Sequence, residues 1–262
     1  MLPTCVTGIE QYVRRMLDMT TVIFIGLVFV LAGIVKGVTG LGLPTVSMGL
    51  LAVVMTPLQA AALVVLPTFV TNIWQLVAGP SLKPIILRLW PMMTTLCLGT
   101  WAGAGLMTGS QSRYGTLLLG VMLVIYALTA LASLHIKVQK AHEPWLGPIF
   151  GAATGIISAA TGVFMIPSVP YLQAIGFEKE DLVQALGLTF TVGTLALSVN
   201  LARAGALNIS LAGPTLAVLA MAALGMWAGQ VLRLRLSPQT FRRWFLIGLA
   251  LLGAYLVVMT LA

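Results

Sequence analysis

Acidic residues are almost missing: six of 262 positions are Asp or Glu, and none lies inside a long apolar run. A membrane cation site or a carboxylate proton relay would ordinarily place one there. Charged residues of both signs reach only 8%, against about 25% in soluble domains. The two cysteines, Cys5 and Cys97, are far apart and have no metal or redox spacing, which excludes a staple or a CxxC centre. His135 and His142 fall in a polar central segment without an HExxH or Cys/His cluster, so they read as loop histidines and no metal site is expected. With no paired carboxylates and no nucleophile–base pair in the apolar runs, no catalytic residue and no cofactor is assigned.

What is there is apolar surface: 59% hydrophobic residues and a mean hydropathy of +1.04. A water-soluble core of this size cannot hide so much, so the lipid bilayer is the expected solvent. The net charge of +8 comes from basic residues standing singly or in pairs between apolar runs. That is the placement of the positive-inside rule, not of a nucleic-acid surface.

Stretches free of Asp, Glu, Lys and Arg are Met19–Val35, Gly37–Leu82, Leu89–Ser112, Tyr114–Leu134, Pro144–Phe177, Leu182–Ala202, Ala204–Leu232 and Trp244–Ala262. One span takes about 20 residues. Gly37–Leu82 and Pro144–Phe177 exceed that and contain Gly and Pro, so each must be broken, and eight to ten membrane segments are expected. The first run follows a charged tail, residues 1–18, without a small-x-small cleavage site, and is expected to be a retained helix.

The halves resemble each other. Leu98-Gly99-Thr100-Trp101-Ala102-Gly103 recurs as Leu224-Gly225-Met226-Trp227-Ala228-Gly229, and the same order pairs Thr39-Gly40 with Thr161-Gly162, Pro44 with Pro167, Thr68-Phe69 with Thr189-Phe190, Pro91 with Pro214 and Gly120 with Gly248. Both tryptophans sit among small residues and read as packing groups. The separation of about 121 to 128 residues indicates one duplicated unit. The expected organisation is a tail (1–18), a first repeat (19–134), a polar connector (135–145) and a second repeat (146–262).

If the glycine-containing breaks at 36–42 and 158–162 turn the chain back, each repeat has five segments. Lys83, Arg88, Lys137, Lys140, Lys179, Arg233, Arg235, Arg242 and Arg243 then share one side, leaving Arg14, Arg15, Arg113 and Arg203 opposite. An odd number of segments inverts the second repeat and places both termini outside the cytoplasm. The expected fold is an all-α polytopic membrane protein of two inverted repeats with Gly-broken helices.

The segment Gly33-Ile34-Val35-Lys36-Gly37-Val38-Thr39-Gly40-Leu41-Gly42-Leu43-Pro44 and its counterpart Gly151 to Gly162 combine glycines, hydroxyls and one cation within apolar runs. Glycine lets the backbone turn and face a ligand, and helix amino termini favour anions; the same glycines also serve close helix packing. Lys36 either offers its ammonium to an anion or snorkels to the interface. Thr68, Thr71, Asn72 and Gln75 share one helical face, as Gln184, Thr189, Thr191, Ser198 and Asn200 populate its second-half equivalent, and either stripe lines a pathway or ties helices together. Arg203 reads as an interfacial arginine.

Lys36-Gly37-Val38-Thr39-Gly40-Leu41-Gly42 after the first apolar run, the echo at Thr161-Gly162 and the two-half layout resemble the TauE/SafE/YfcA family of membrane permeases over almost the whole chain. Where that family commonly runs three glycines, this chain has Gly40-Leu41-Gly42-Leu43. The resemblance implies a carrier of sulfur-containing anions such as sulfite, sulfoacetate or other sulfonates in the inner (plasma) membrane. The expected substrate-binding residues are Lys36, Thr39, Gly40, Gly42, Thr68, Asn72, Gln75, Ser158, Thr161, Gly162 and Thr189. A passive anion channel and a carrier of a non-sulfur organic anion are the alternatives, and coupling to protons or ions and self-association into a homo-oligomer stay open.

Overall fold

A computed structural model describes residues 19–108, 112–132, 137–207, 212–235 and 237–261. Over these residues the chain forms ten α-helices: α1 (Met19–Thr39), α2 (Leu43–Leu51), α3 (Pro57–Val77), α4 (Leu82–Ala102), α5 (Ser112–Leu131), α6 (Glu143–Thr161), α7 (Ser168–Ala174), α8 (Lys179–Arg203), α9 (Ala212–Arg233) and α10 (Pro238–Leu261), with one 3-10 turn at Lys140–His142. His142 is exposed there, whereas His135 and the tail containing Cys5 lie outside the described residues. Cys97 is half-buried in α4.

Seven helices, α1, α3, α4, α5, α8, α9 and α10, are long and apolar enough to cross a membrane. Helix α6 is not among them, because Glu143, Pro144 and Trp145 dilute its first turn. Helices α2 and α7 have nine and seven residues, far short of a core of about 30 Å at 1.5 Å per residue. The eight to ten expected segments are thus seven candidate spans, α6 and two short helices. The long Gly37–Leu82 run divides where local chemistry dictates. Thr56 caps α3, accepting from Gln59 N while Gln59 Oε1 accepts from Thr56 N, with Pro57 in the first turn.

The most extensive helix contacts are α1 with α9 and α4 with α6, followed by α5 with α10 and α3 with α8. Exchanging the first five helices for the last five maps this set onto itself. Both of the largest contacts are glycine crossings. A Cβ on Gly33 would lie 2.3 Å from Ala222 O, one on Gly37 2.4 Å from Met226 O, and one on Gly225 2.2 Å from Val30 O. In the other crossing, Gly155 stands 2.2 Å from Leu96 O and Gly99 2.4 Å from Ala152 O by the same measure. Backbones meet this closely only where side chains are absent, and lipid-embedded helices associate through such contacts because there is no hydrophobic effect between them.

The repeated Leu-Gly-x-Trp-Ala-Gly motif is therefore a packing motif whose glycines face a helix of the other half. Its tryptophans differ from expectation in pointing outward: Trp227 is exposed, and Trp101, partly exposed, donates from Nε1 to Ala196 O at 3.2 Å. The register also differs from a block-to-block reading. Gly155, not Gly151, stands where Gly33 does, so Lys36 falls on Ser158 and Thr39–Gly40 on Thr161–Gly162.

At one end of the bundle Arg88 of α4 grips Glu143 of α6 with both prongs, Nε to Oε2 at 2.8 Å and Nη2 to Oε1 at 2.6 Å. Nη2 also donates to Ile175 O, and the guanidinium lies 4.6 Å from the centroid of the Phe177 ring. This planar fork ties the start of α6 and the end of α7 to α4. Arg88→Gln removes the charge-assisted pair and strands a half-buried carboxylate. The expected cost is roughly 2 kcal/mol, read as a lowered thermal midpoint of the detergent-purified protein.

Candidate functional site

Helices α1 and α6 end in the same way. Gly40 and Gly162 adopt positive φ, 77° and 72°, a conformation that L-residues with a Cβ resist. Gly40 N donates to Lys36 O at 2.7 Å and Gly162 N to Ser158 O at 2.8 Å. The preceding threonines close each turn. Thr39 Oγ1 donates to Val35 O and accepts from Leu41 N, while Thr161 Oγ1 donates to Ile157 O and accepts from Val163 N. Gly42, φ 101°, then starts α2. The two breaks meet: Thr45 in the first turn of α2 donates its hydroxyl to Met165 Sδ at 2.6 Å, and Met48 packs on Gly162. Thr45, Thr161 and Met165 share a small cleft with Leu123 and Tyr126 of α5.

Lys36 lies inside the last turn of α1, one turn before the break. It is 5% exposed, the only charged side chain among the buried described residues, so it does not snorkel outward. Nζ donates to Thr71 Oγ1 at 3.0 Å and to Asn72 Oδ1, both on α3. Thr71 in turn donates to Pro67 O at 2.8 Å. Among the described residues no carboxylate pairs with Lys36; the ion pair formed there is Arg88–Glu143. A buried cation held only by neutral acceptors is costly, and an anion beside it relieves that cost.

Donors without a partner stand in this cluster. An ammonium has three N–H groups, two of which are used. Because a lysine can only donate, the Asn72 oxygen must face it, leaving Nδ2 as a buried amide without a partner. Thr68 Oγ1, one turn before Asn72 on α3, is likewise buried without a partner. Such groups are rare in folded proteins and call for a ligand or water. Thr71 was visible in the sequence as part of the stripe; its step of three from Thr68 is the signal that groups it with Lys36's partners.

The other expected residues are placed differently. Gln75 donates from Nε2 to Val183 O at 2.9 Å, and Gln184 Nε2 donates to Leu76 O and Gly79 O while its Oε1 accepts from Ser81 N. These two amides sew α3 to α8. Thr189, Thr191 and Ser198 donate to carbonyls one turn back in α8, and Ser158 donates to Gly155 O. Asn200 Nδ2 donates to Thr100 O at 2.7 Å, tying α8 to α4, and Arg203 is exposed at the end of α8. The structure thus brings Lys36, Thr71 and Asn72 together with Thr68 one turn away, and uses Thr39, Thr161, Gly40 and Gly162 to shape the breaks. Sequence reading did not single out Ser47 of α2, whose Oγ is also buried without a partner.

A family model described as Sulfite exporter TauE/SafE matches residues 25–256. No curated protein and no solved structure matches the chain.

Proposed function

We propose how this protein works from one premise: the chain belongs to the sulfite exporter TauE/SafE family, a family of membrane transporters. Its substrate is a small sulfur-containing oxyanion, sulfite or a related sulfonate, carried by alternating access across the cell's inner (plasma) membrane. The observation that carries the reading is the buried Lys36 ammonium, without a carboxylate partner among the described residues, beside the unpartnered Asn72 amide. Sulfonyl oxygens are acceptors, and the third N–H of Lys36 and the Asn72 Nδ2 amide are donors left without a partner. Thr68, Asn72 and Lys36 hold the anion; the breaks at Gly40–Gly42 and Gly162, shaped by Thr39 and Thr161, let α1 and α6 end beside it; Gln75, Ser158 and Thr189 are the supporting shell.

The two halves, 19–134 and 146–262, are inverted repeats joined by 135–145, with α2 and α7 as short returns inside the bilayer. Two contacts support this tracing. Arg88 in the second turn of α4 meets Glu143 at the start of α6, while Arg113 at the start of α5 donates from Nε and Nη2 to Thr260 O in the last turn of α10. In a five-plus-five tracing these lie at opposite faces. The face with Arg88 then also carries Lys83, Lys137, Lys140, Arg233, Arg235, Arg242 and Arg243, and is cytoplasmic.

The test is counterflow. Proteoliposomes preloaded with unlabelled sulfite and diluted into labelled sulfite are expected to show saturable, transient accumulation of label. Flux that rises linearly with concentration and ignores the anion inside would identify a channel and overturn the carrier reading.

A further inference from the structure

We infer that the site accepts singly charged oxyanions and rejects doubly charged ones, so that bisulfite or an organic sulfonate without a second ionised group, not the sulfite dianion or doubly charged sulfoacetate, is what it binds. This rests on the reading of Lys36 as the anion's charge partner and goes on to count the charges available.

Among the described residues the buried set contains one side chain able to carry a positive charge, Lys36. The second half does not supply another. Ser158 occupies the register of Lys36 and donates its hydroxyl to Gly155 O at 2.8 Å. In the register of Asn72 stands Gly193, and a Cβ there would lie 2.6 Å from the Phe164 ring. A donor cluster in one half is thus matched by an aromatic ring in the other. Arg88 is held by Glu143 and Ile175 O, and Arg113 by Thr260 O at the end of α10, so neither arginine's bonds lead to Lys36. The remaining donors, Asn72 Nδ2 and Thr68 Oγ1, are neutral dipoles.

One buried positive charge neutralises one negative charge. A monoanion converts an unpaired ammonium into a pair of no net charge. A dianion leaves one negative charge out of water with only hydroxyl and amide dipoles to offset it, and the desolvation of the second charge is not recovered. The cluster therefore selects on charge where shape alone does not distinguish the ligands. Bisulfite and sulfite differ by a proton, and methanesulfonate and sulfate are tetrahedral ions that differ in having a methyl group in place of a charged oxygen.

Methanesulfonate and sulfate provide the test, because neither changes charge near neutral pH. Binding of each to detergent-purified wild-type protein is measured by calorimetry, alongside Lys36→Met whose folding is checked by size exclusion and thermal unfolding. Sulfate is expected to bind about a hundredfold more weakly than methanesulfonate, and Lys36→Met to lose the methanesulfonate signal. Equal affinity for the two ions in the wild type, both lost in Lys36→Met, overturns the charge count and leaves Lys36 in the site. Wild-type affinity retained in Lys36→Met, or no binding of either ion by folded wild type, overturns the site reading and the inference with it. The affinity ratio is read on wild-type protein, so it decides the charge count whether or not the variant folds.

Discussion

Lys36→Met is expected to lower the efficiency of saturable sulfite uptake by about a hundredfold or more while folded protein is still recovered. The two halves of that expectation have separate causes. Stability changes little because the lysine has no carboxylate partner among the described residues to leave behind. Replacing an isolated buried charge by an apolar chain of similar length removes its desolvation cost. Thr71 keeps its bond to Pro67 O, and the loss is the donor to Asn72 Oδ1, about 1 to 3 kcal/mol for a stranded acceptor. Transport falls because the ammonium is the one full charge in the cluster. Lys36→Arg keeps that charge but brings a planar fork into a space where lysine is already 5% exposed, and is expected to restore only part of the activity. Uptake by Lys36→Met at wild-type efficiency would remove the residue from the anion's path.

The second large effect is structural. Gly225→Val is expected to prevent recovery of monodisperse protein, and Gly155→Val at the opposite crossing to do the same. Their Cβ positions lie 2.2 Å from Val30 O and from Leu96 O, main-chain atoms that cannot rotate away. Inserting bulk into a packed interior typically costs about 1 to 3 kcal/mol, and more when the obstacle is backbone, since two helices must then move apart along their length. Gly26 and Gly248 are the controls: each is helical, with nothing within 4 Å of an added Cβ. Alanine at either is expected to be neutral or to stabilise by about 0.5 to 1 kcal/mol. Size exclusion and thermal unfolding of the four variants check the contrast, and a well-behaved Gly225→Val would mean that α1 and α9 do not meet in this way.

The broken runs and the turn residues were legible in the sequence, because each is local: a Thr-Gly at the end of an apolar run and a proline after it. The division of labour among the glycines was not. Gly33, Gly37 and Gly155 face helices whereas Gly40 and Gly162 make turns, and spacing alone does not reveal what stands opposite a missing side chain. For the same reason the polar stripes divided unexpectedly: Thr71 and Asn72 bond Lys36, with Thr68 one turn away, while Gln75, one step further along the same face, reaches across to Val183 O. The reach of the Lys36 side chain to Thr71 and Asn72 of α3 and the Arg88–Glu143 fork join residues with no local signal between them.

The crossing of α1 with α9 also bears on how the chain is made. A ribosome releases α1 well before α9, the helix that fills its glycine face, and α4 waits in the same way for α6. During synthesis the first five helices must rest in the bilayer with Gly33, Gly37 and Gly99 not yet in their final contacts. The final pairing is thus a late, post-insertion event that depends on long-range contacts. A chain released before α6 has the elements of its first half but neither of the partners that lock α1 and α4 in place.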